Sequence, residues 1–179
     1  MHKYFLAILP PDQISNEIVS FQKEIESRFG SVHAQKTPPH ITIIPPFECD
    51  PEKLTELTSV FALFLKNKPT IDATIELNNF QRFESRALFV DVAKNETFEN
   101  LCKELKLLFN QQKIIKQRVE KHSFIPHITI ANKDIKKRDF KVAWADFKGQ
   151  GYQRRFKLEH LALLEFVVGK WKVKATIIV

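Results

Sequence analysis

The stretch Pro39-His40-Ile41-Thr42-Ile43 occurs a second time, letter for letter, as Pro126-His127-Ile128-Thr129-Ile130. The two copies lie 87 residues apart, which is close to half of the 179-residue chain. An exact repeat that contains a rare residue such as histidine is hard to obtain by chance. It therefore predicts an internal duplication, in which each half of the chain folds into a similar unit.

Each copy of the repeat has the alternation of a half-buried β-strand. Residues i and i+2 of a strand point to the same face, so His40 and Thr42 share one face while the isoleucines take the other. The second copy does the same with His127 and Thr129. If the two strands meet at a cleft, two imidazoles and two hydroxyls converge on it.

Apolar periodicity and turn residues predict the remaining elements. The predicted strands cover residues 3–9, 40–44, 70–80, 86–92, 127–131, 147–158, 161–167 and 172–179, with Pro45-Pro46 ending the second of them. The predicted helices cover residues 11–29, 51–65, 97–109 and 135–144. Gly30 is the predicted stop of the first helix, and Gly169 is expected near a turn.

This order of elements favours an α+β fold with mostly antiparallel sheets, because strands follow one another directly in two places. The duplication predicts a bilobal, pseudo-twofold arrangement in which the two motif strands face each other across a central groove. The chain has only four glycines, and no Gly/Ser-rich linker separates its halves. We therefore expect residues 1–179 to form a single domain of two similar lobes.

The composition is that of a globular protein, with 44% hydrophobic and 27% charged residues. A net charge of +7 and a pI near 9.4 favour a polyanionic partner such as nucleic acid. Cys49 and Cys102 are far apart and predict neither a disulfide framework nor a zinc knuckle. The first residues resemble a strand, not a signal peptide, and no apolar run is long enough for a membrane span. We expect a cytoplasmic protein with no membrane partner.

A pair of histidines with a pair of threonines suits chemistry at a phosphodiester. Hydroxyls can donate hydrogen bonds to non-bridging oxygens, and imidazoles move protons near neutral pH. Hydrolysis needs one proton taken from water and one given to the leaving oxygen, so one histidine must start neutral and the other protonated. Such a pair predicts a bell-shaped pH–rate profile whose apparent pKa values belong to the pair.

The two histidines have two other possible roles, as core residues or as metal ligands. A histidine on an apolar strand is often a core residue with satisfied hydrogen bonds, but packing explains two identical polar pairs less well, because buried polar groups need partners. Metal ligation is not indicated, because neither histidine has HxxxH or HxH spacing and no Asp or Glu lies within either motif. No metal and no cofactor is therefore expected.

The paired motifs His40-Ile41-Thr42-Ile43 and His127-Ile128-Thr129-Ile130 resemble the H-x-[T/S]-x hallmark of the two-histidine (2H) phosphoesterase superfamily. Within it, the chain is similar to the bacterial 2′-5′ RNA ligase / RNA 2′,3′-cyclic phosphodiesterase family. The resemblance covers nearly the whole chain. The supporting segments are Phe5-Leu6-Ala7-Ile8-Leu9-Pro10, Pro45-Pro46-Phe47, Arg86-Ala87-Leu88-Phe89-Val90 and Leu161-Ala162-Leu163-Leu164-Glu165.

The resemblance implies metal-independent opening of RNA 2′,3′-cyclic phosphates to 2′-phosphates, and in some members reversible 2′-5′ joining of RNA ends. It implies that His40 is the acid to the 3′ leaving oxygen and His127 the base for water, with Thr42 and Thr129 holding the phosphate. The residues themselves leave the order of the two histidines open. The second motif is followed by Ala131-Asn132, without the basic residue and Gly-rich stretch of some members, which leaves the subgroup open.

Further residues are candidates for substrate binding. Arg86 opens a strand and is a candidate for reaching the groove, although a solvated position is the alternative. Phe47 and Phe124 lie close to the motifs and are candidates for stacking on a base, with core packing as the alternative.

We expect the partners to be RNA ends or nucleotides carrying a cyclic phosphate. A phosphoesterase for a small nucleotide and a non-catalytic RNA-binding module remain alternative functions. We expect a monomer, because the two lobes of one chain already supply both halves of the site.

Overall fold

The computed structural model describes residues 1–69, 71, 73–84, 86–113, 115 and 125–179. The strands of this described part are β1 (His2–Ile8), β2 (Ile41–Cys49), β3 (Thr74–Phe83), β4 (Ala87–Val92), β5 (His127–Asn132), β6 (Gln153–Lys157), β7 (His160–Val167) and β8 (Lys170–Ile178). The helices are α1 (Asp12–Phe29), α2 (Pro51–Lys66), α3 (Glu96–Gln111) and α4 (Lys137–Phe147), with a 3-10 turn at His33–Lys36. None of these described helices combines the length and the apolar character needed to cross a membrane.

The eight strands form one sheet in the order β6-β3-β4-β5-β2-β1-β7-β8, and every recorded pair is antiparallel. The motif strands β2 and β5 are the two central strands. The duplication is visible in this order, because the strands match outward from the centre: β5 with β2, β4 with β1, β3 with β7 and β6 with β8. The predicted α+β, antiparallel and duplicated fold is confirmed. The motif strands lie side by side instead of facing each other, because they pair through their backbones at Ile41 and Ile128.

The helices tie the two halves together by crossing the centre of the sheet. Helix α1 follows β1 but packs against β5 of the other half, and its Phe21 ring lies 5.1 Å from the ring of Phe80 on β3. Helix α3 follows β4 but packs against β2, where the rings of Phe109 and Phe47 are 4.8 Å apart. Each half therefore supplies the helix that covers the other half's motif strand.

Apolar side chains cover both faces of the middle of the sheet, but unequally. The main core lies between the sheet and the helices and includes Tyr4, Leu6 and Ile8 of β1. The alternate residues Phe5 and Ala7 belong to a small second cluster on the opposite face. That opposite face has no helix layer in the described part of the chain, and it carries the groove.

Strand β2 continues past the point where the sequence predicts its end. It runs through Pro45 and Pro46 to Cys49. Both prolines are exposed, and they lie where the register between β1 and β2 shifts, between the pairs Leu6–Ile44 and Tyr4–Phe47. A bulge leaves backbone groups out of the ladder, so the missing proline N–H costs no hydrogen bond there.

The predicted strand over 147–158 is wrong at its start. Phe147 is the last residue of α4, and β6 begins only at Gln153. The Phe147 side chain is fully buried and packs 4.9 Å from the ring of Phe80. Its apolar character therefore completes the buried face of a helix and does not begin a strand.

The predicted stop at Gly30 gives a test of helix termination. Gly30 has φ of 71° and donates its N–H to the carbonyl of Glu26. A methyl group at this position would meet no atom within 4 Å, so Gly30→Ala should cost only the left-handed backbone strain, about 1 kcal/mol of unfolding free energy. Gly149 also has open space but no positive φ. Gly149→Ala should show no such loss in urea unfolding, and equal losses in both variants would contradict this account.

Candidate active site

Both motifs present their polar residues on the groove face of the sheet. The alternate isoleucines of each motif belong to the main core on the helix face, as the strand alternation predicts. The antiparallel pair Ile41–Ile128 fixes the local register. If the same register is extended by one residue on each side of this pair, His40 lies opposite Thr129, and Thr42 lies opposite His127. Directly opposite Cβ atoms in a sheet are about 4.5–5.5 Å apart, so the two imidazoles and two hydroxyls form one compact group.

Backbone carbonyls hold both imidazole rings in the same way. The Nδ1 atom of His40 lies 2.7 Å from the carbonyl oxygen of Pro38. The Nδ1 atom of His127 lies 2.8 Å from the carbonyl oxygen of Ile125. A carbonyl oxygen only accepts, so Nδ1 must donate its hydrogen in each ring. Nε2 is then left as the nitrogen that can take up or release a proton.

The proline at the start of each motif helps to aim these carbonyls. Pro39 and Pro126 stand directly before the histidines and directly after the residues whose carbonyls hold the rings. A residue that precedes proline is confined to extended conformations, which narrows the directions in which its carbonyl can point. The proline is thus part of the repeated chemical unit and not only a strand boundary.

Aromatic side chains flank the two imidazoles. The Phe5 ring lies 4.9 Å from the ring of His40. The rings of Phe83 and Phe89 lie 4.9 Å and 5.0 Å from the ring of His127. These rings restrict the rotation of each imidazole and exclude water from one side of it.

Burial governs the protonation of the histidines. Burial lowers the pKa of His40 to about 4. The hydrogen bond to Pro38 raises this pKa, and the charge of His127 lowers it further. Burial also lowers the pKa of His127, but here the hydrogen bond to Ile125 and the negative charge of Asp91 oppose the shift. The two imidazoles therefore differ in their electrostatic surroundings although their motifs are identical.

Asp91 is a site residue that the sequence did not reveal. It lies on β4, is half-buried, and pairs directly with His127 across the antiparallel ladder. Burial raises the pKa of its carboxyl group, while a backbone hydrogen bond and the His127 charge lower it. Its proximity could be found only from the strand pairing, because 36 residues separate the two positions along the chain.

The cleft beside the second motif has a basic rim. The residues lining it are Phe83, Arg86, Ala87, His127, Thr129, Asn132 and Lys133. Arg86 and Lys133 are exposed to solvent, so their cationic groups can meet an anion that enters the cleft. The structure thus brings the candidate Arg86 together with the second motif.

The structure corrects the candidate role of Phe47. Its side chain is 2% exposed and packs against Phe109 and Tyr4 in the main core. Two register shifts occur between β1 and β2, and together they restore the alternation. Phe47 therefore lies on the helix face with Ile41 and Ile43 and cannot stack on a base in the groove. The other aromatic candidate, Phe124, lies outside the described residues.

A different aromatic cluster lies on the groove face next to the first motif. The half-buried Trp171 of β8 has its ring 4.7 Å from Phe5 and 5.2 Å from Phe166, which is 43% exposed. Phe5 itself contacts His40. The sequence missed this cluster because Trp171 lies 131 residues from His40 in the chain.

A buried glutamine anchors the second motif strand. The side chain of Gln22 on α1 is 2% exposed, and its Nε2 donates a 3.0 Å hydrogen bond to the carbonyl of Thr129. This bond gives a partner to a backbone carbonyl beside the groove. It also links the helix of the first half to the motif of the second.

The groups in the described part of the chain do not form an evident metal site. Within those residues, no three His, Cys, Asp or Glu side chains come together in a way that could hold a metal ion. The donor set at the groove is two imidazoles, two hydroxyls and one carboxyl group. That set is suited to moving protons and to hydrogen bonding.

Comparison with known proteins agrees with this fold. The family model described as the 2′-5′ RNA ligase superfamily matches residues 10–170. A protein named "Putative phosphoesterase" from Geobacillus sp. (strain WCH70) is 26% identical over 180 residues, covering 99% of this chain and 96% of the relative.

Solved structures have the same fold at lower identity. The crystal structure of E. coli LigT complexed with 3′-AMP superposes with a TM-score of 0.70 at 15% identity, covering 99% of this chain and 98% of that one. The MHV ns2 PDE domain superposes with a TM-score of 0.59 at 14% identity, covering 92% of this chain and 99% of that one.

The lowered pKa of His40 predicts a pH-dependent stability. The pKa of histidine is about 6.5 in the unfolded chain and about 4 for His40 in the folded chain. Between these two pH values, the unfolded chain binds a proton that the folded chain does not. The free energy of unfolding should therefore fall by about 1–3 kcal/mol through this group as the pH drops from 7 to 4.5. His40→Gln should lose that part of the decrease in urea unfolding, whereas the exposed-site control His160→Gln should keep it. An unchanged decrease in His40→Gln would contradict the prediction.

Proposed function

Since this chain belongs to the 2′-5′ RNA ligase superfamily, the 2H phosphoesterases, we propose that it is a metal-independent phosphodiesterase that opens RNA 2′,3′-cyclic phosphates to 2′-phosphates. His40 and His127 are the catalytic acid–base pair of this proposal. Both halves of the site lie in one chain, so the active form is a monomer. With the 5′ hydroxyl of a second RNA end in place of water as the nucleophile, the same proton transfers would open the cyclic phosphate and join the two ends through a 2′-5′ bond.

One observation carries the proposal. Both imidazoles are anchored through Nδ1 by a carbonyl two residues earlier, and both lie on the groove face beside a threonine. Proton transfer requires the reactive nitrogen to be held within hydrogen-bond reach of the substrate. Two rings held in this manner at the crossing of two strands provide a base and an acid on either side of one phosphorus atom.

The reaction then follows from the side chains present. One neutral imidazole takes a proton from water through Nε2, and the oxygen of that water bonds to phosphorus. The bond from phosphorus to the 3′ oxygen breaks, and the protonated second imidazole gives its proton to that oxygen. The hydroxyls of Thr42 and Thr129 donate hydrogen bonds to the non-bridging oxygens, where negative charge grows in the transition state.

The rest of the groove supports a nucleotide or RNA end as substrate. The exposed Arg86 and Lys133 line the cleft beside His127 and can bind a phosphate. The Trp171 and Phe166 rings on the other side offer an aromatic surface of the kind on which bases stack. The net charge of +7 favours a polyanion over a neutral ligand.

The decisive experiment assays hydrolysis with EDTA present. The substrates are 2′,3′-cyclic mononucleotides and an oligoribonucleotide that ends in a 2′,3′-cyclic phosphate. His40→Ala and His127→Ala should each lower kcat/KM by roughly 10²–10⁴-fold, since a well-placed proton transfer is worth that much. The product should comigrate with a 2′-phosphate standard.

His160→Ala, which removes an exposed histidine of β7, is the matched control and should keep wild-type activity. Wild type and both motif variants turning over substrate alike would exclude the enzyme. Tight binding of the oligomer without turnover would favour the RNA-binding module, and activity only with added metal would contradict the proposed chemistry. Preference for the mononucleotide, insensitive to salt, would favour a small-nucleotide phosphoesterase.

Arg86→Ala tests the basic rim. Removal of a cation that meets a phosphate should raise KM for the oligonucleotide on the order of tenfold with little change in kcat, and should reduce the dependence of KM on salt. The matched control is Arg138→Ala on α4, where the arginine side chain is 83% exposed and pairs with Asp139. Equal effects of the two variants would show that only net charge matters.

Trp171→Ala tests the aromatic surface. Loss of a stacking platform should raise KM for nucleotide substrates on the order of tenfold. The chain has two tryptophans, so Trp144→Phe on α4 leaves Trp171 as the one fluorescent reporter and serves as the control with normal KM. The fluorescence emission of Trp171 should be quenched by nucleotide 2′-phosphate products. Emission that does not change on their addition would show that Trp171 is not part of the binding site.

A further inference from the structure

The two halves of the chain serve as an internal control for each other. In the first half, the pairing of β1 with β2 shifts by one residue just before the pair Ala7–Thr42. In the second half, the pairing of β4 with β5 shifts in the same way just before the pair Phe89–Thr129. The bulges are in equivalent places, so residues of the two groove faces can be matched one to one.

This matching identifies a difference beside the catalytic pair. In the second half, Asp91 pairs with His127. In the first half, the register continues by one residue beyond the pair Ile8–Ile41 and brings Leu9 to the equivalent place beside His40. Leu9 packs in the small apolar cluster of the groove face. One imidazole thus has a carboxyl neighbour where the other has an alkyl group.

Asp91 is one of several charged or titratable groups that surround His127. The titratable group beside it on the neighbouring motif is His40, directly before β2, and on β4 it is Asp91. The cleft beside the second motif adds the cations of two side chains, Arg86 and Lys133. Asp91 supplies the negative charge in this set, and it is half-buried, so solvent screens it less than an exposed carboxylate.

Resting on the proposed phosphodiesterase function, we propose that Asp91 is a positioning residue that keeps the catalytic proton on His127, so that His127 is the general acid and His40 the general base. This order is the reverse of the one that the family resemblance implies. The duplication produces two identical motifs, and the neighbouring strand makes them unequal.

The protonation of the two rings agrees with this assignment. Burial lowers the pKa of both imidazoles, but the charge of Asp91 opposes the shift at His127, whereas the charge of His127 deepens the shift at His40 to about 4. The first proton taken up by the pair therefore belongs on His127. At neutral pH, His40 has its Nε2 lone pair free to accept a proton.

The proposed cycle returns both histidines to their starting protonation states. His40 Nε2 takes a proton from the attacking water while the new P–O bond forms. The bond from phosphorus to the 3′ oxygen breaks, and the Nε2 hydrogen of His127 passes to that oxygen. His40 then releases its proton to solvent and His127 takes one up, which restores the pair. Asp91 takes part in none of these bond changes and acts only through the imidazole of His127.

The first test does not depend on activity. NMR titration of labelled histidine rings in the free protein should show His127 taking up a proton at higher pH than His40. Asp91→Asn should lower the titration midpoint of His127 by about one pH unit, and Asp91→Glu should restore most of it. Glu56→Gln removes an exposed carboxylate on α2 and is the control that should leave both midpoints in place. A His127 midpoint that ignores Asp91, or lies below that of His40, overturns the proposal.

The second test assigns the roles. In Asp91→Asn, the high-pH limb of kcat/KM on a 2′,3′-cyclic nucleotide should move down by about one pH unit, with a maximum that is unchanged or lower. If His127 were the base, closer pKa values would increase the fraction of enzyme with the required protonation, and the maximum would rise. A higher maximum therefore overturns the assignment.

A substrate whose leaving group needs no general acid distinguishes the roles of the two histidines directly. The leaving group of bis(4-nitrophenyl) phosphate departs without protonation, so His127→Ala should lose far less activity on it than on the cyclic nucleotide, while His40→Ala should lose heavily on both. The opposite pattern overturns the assignment. If no phosphodiester is turned over by wild type, the proposed function fails, and the NMR titration still decides whether Asp91 holds the proton.

Discussion

The antiparallel pair between Ile41 and Ile128 is the contact on which the rest of the structure depends. Each isoleucine is the centre of its motif, so one register sets both histidines and both threonines in place. A slip of one residue in either strand would turn its imidazole toward the core and its isoleucine toward water. Both isoleucines are completely buried, and the free energy of that burial, about 1.5–3 kcal/mol for each side chain, penalises the slip.

The crossed helices make this central pair rigid. Helix α1 of the first half covers β5, and helix α3 of the second half covers β2, so the halves cannot separate without exposing both motif strands. Gln22 reinforces the arrangement by bonding to the carbonyl of Thr129. A groove between two domains would open and close with domain motion, whereas here the two imidazoles and the two hydroxyls belong to a single packed sheet. Precise placement of this kind is what proton transfer requires.

Local periodicity explains how much could be predicted from the sequence. The alternation within each motif predicted which face His40 and His127 occupy, and Gly30 marked a helix end with its positive φ. Local periodicity could not predict which strands lie next to each other or where their register shifts. The side-by-side pairing of the motifs depends on backbone contacts that no single strand encodes. Asp91 and Trp171 reach the groove through strand order, which one sequence does not display.

A duplicated site creates a chemical problem that only residues outside the motif can solve. Acid–base catalysis needs two imidazoles in different protonation states, yet the duplicated unit supplies the same ring, the same carbonyl anchor and the same threonine twice. Identical surroundings would leave the proton shared equally, with half of the enzyme in the wrong arrangement for a given substrate orientation. Because the difference must come from neighbouring strands, the residues at the places of Leu9 and Asp91 are free to diverge while the motifs stay the same. Under the proposed function, the assignment of acid and base to the two histidines is therefore set by the strands that flank the motifs.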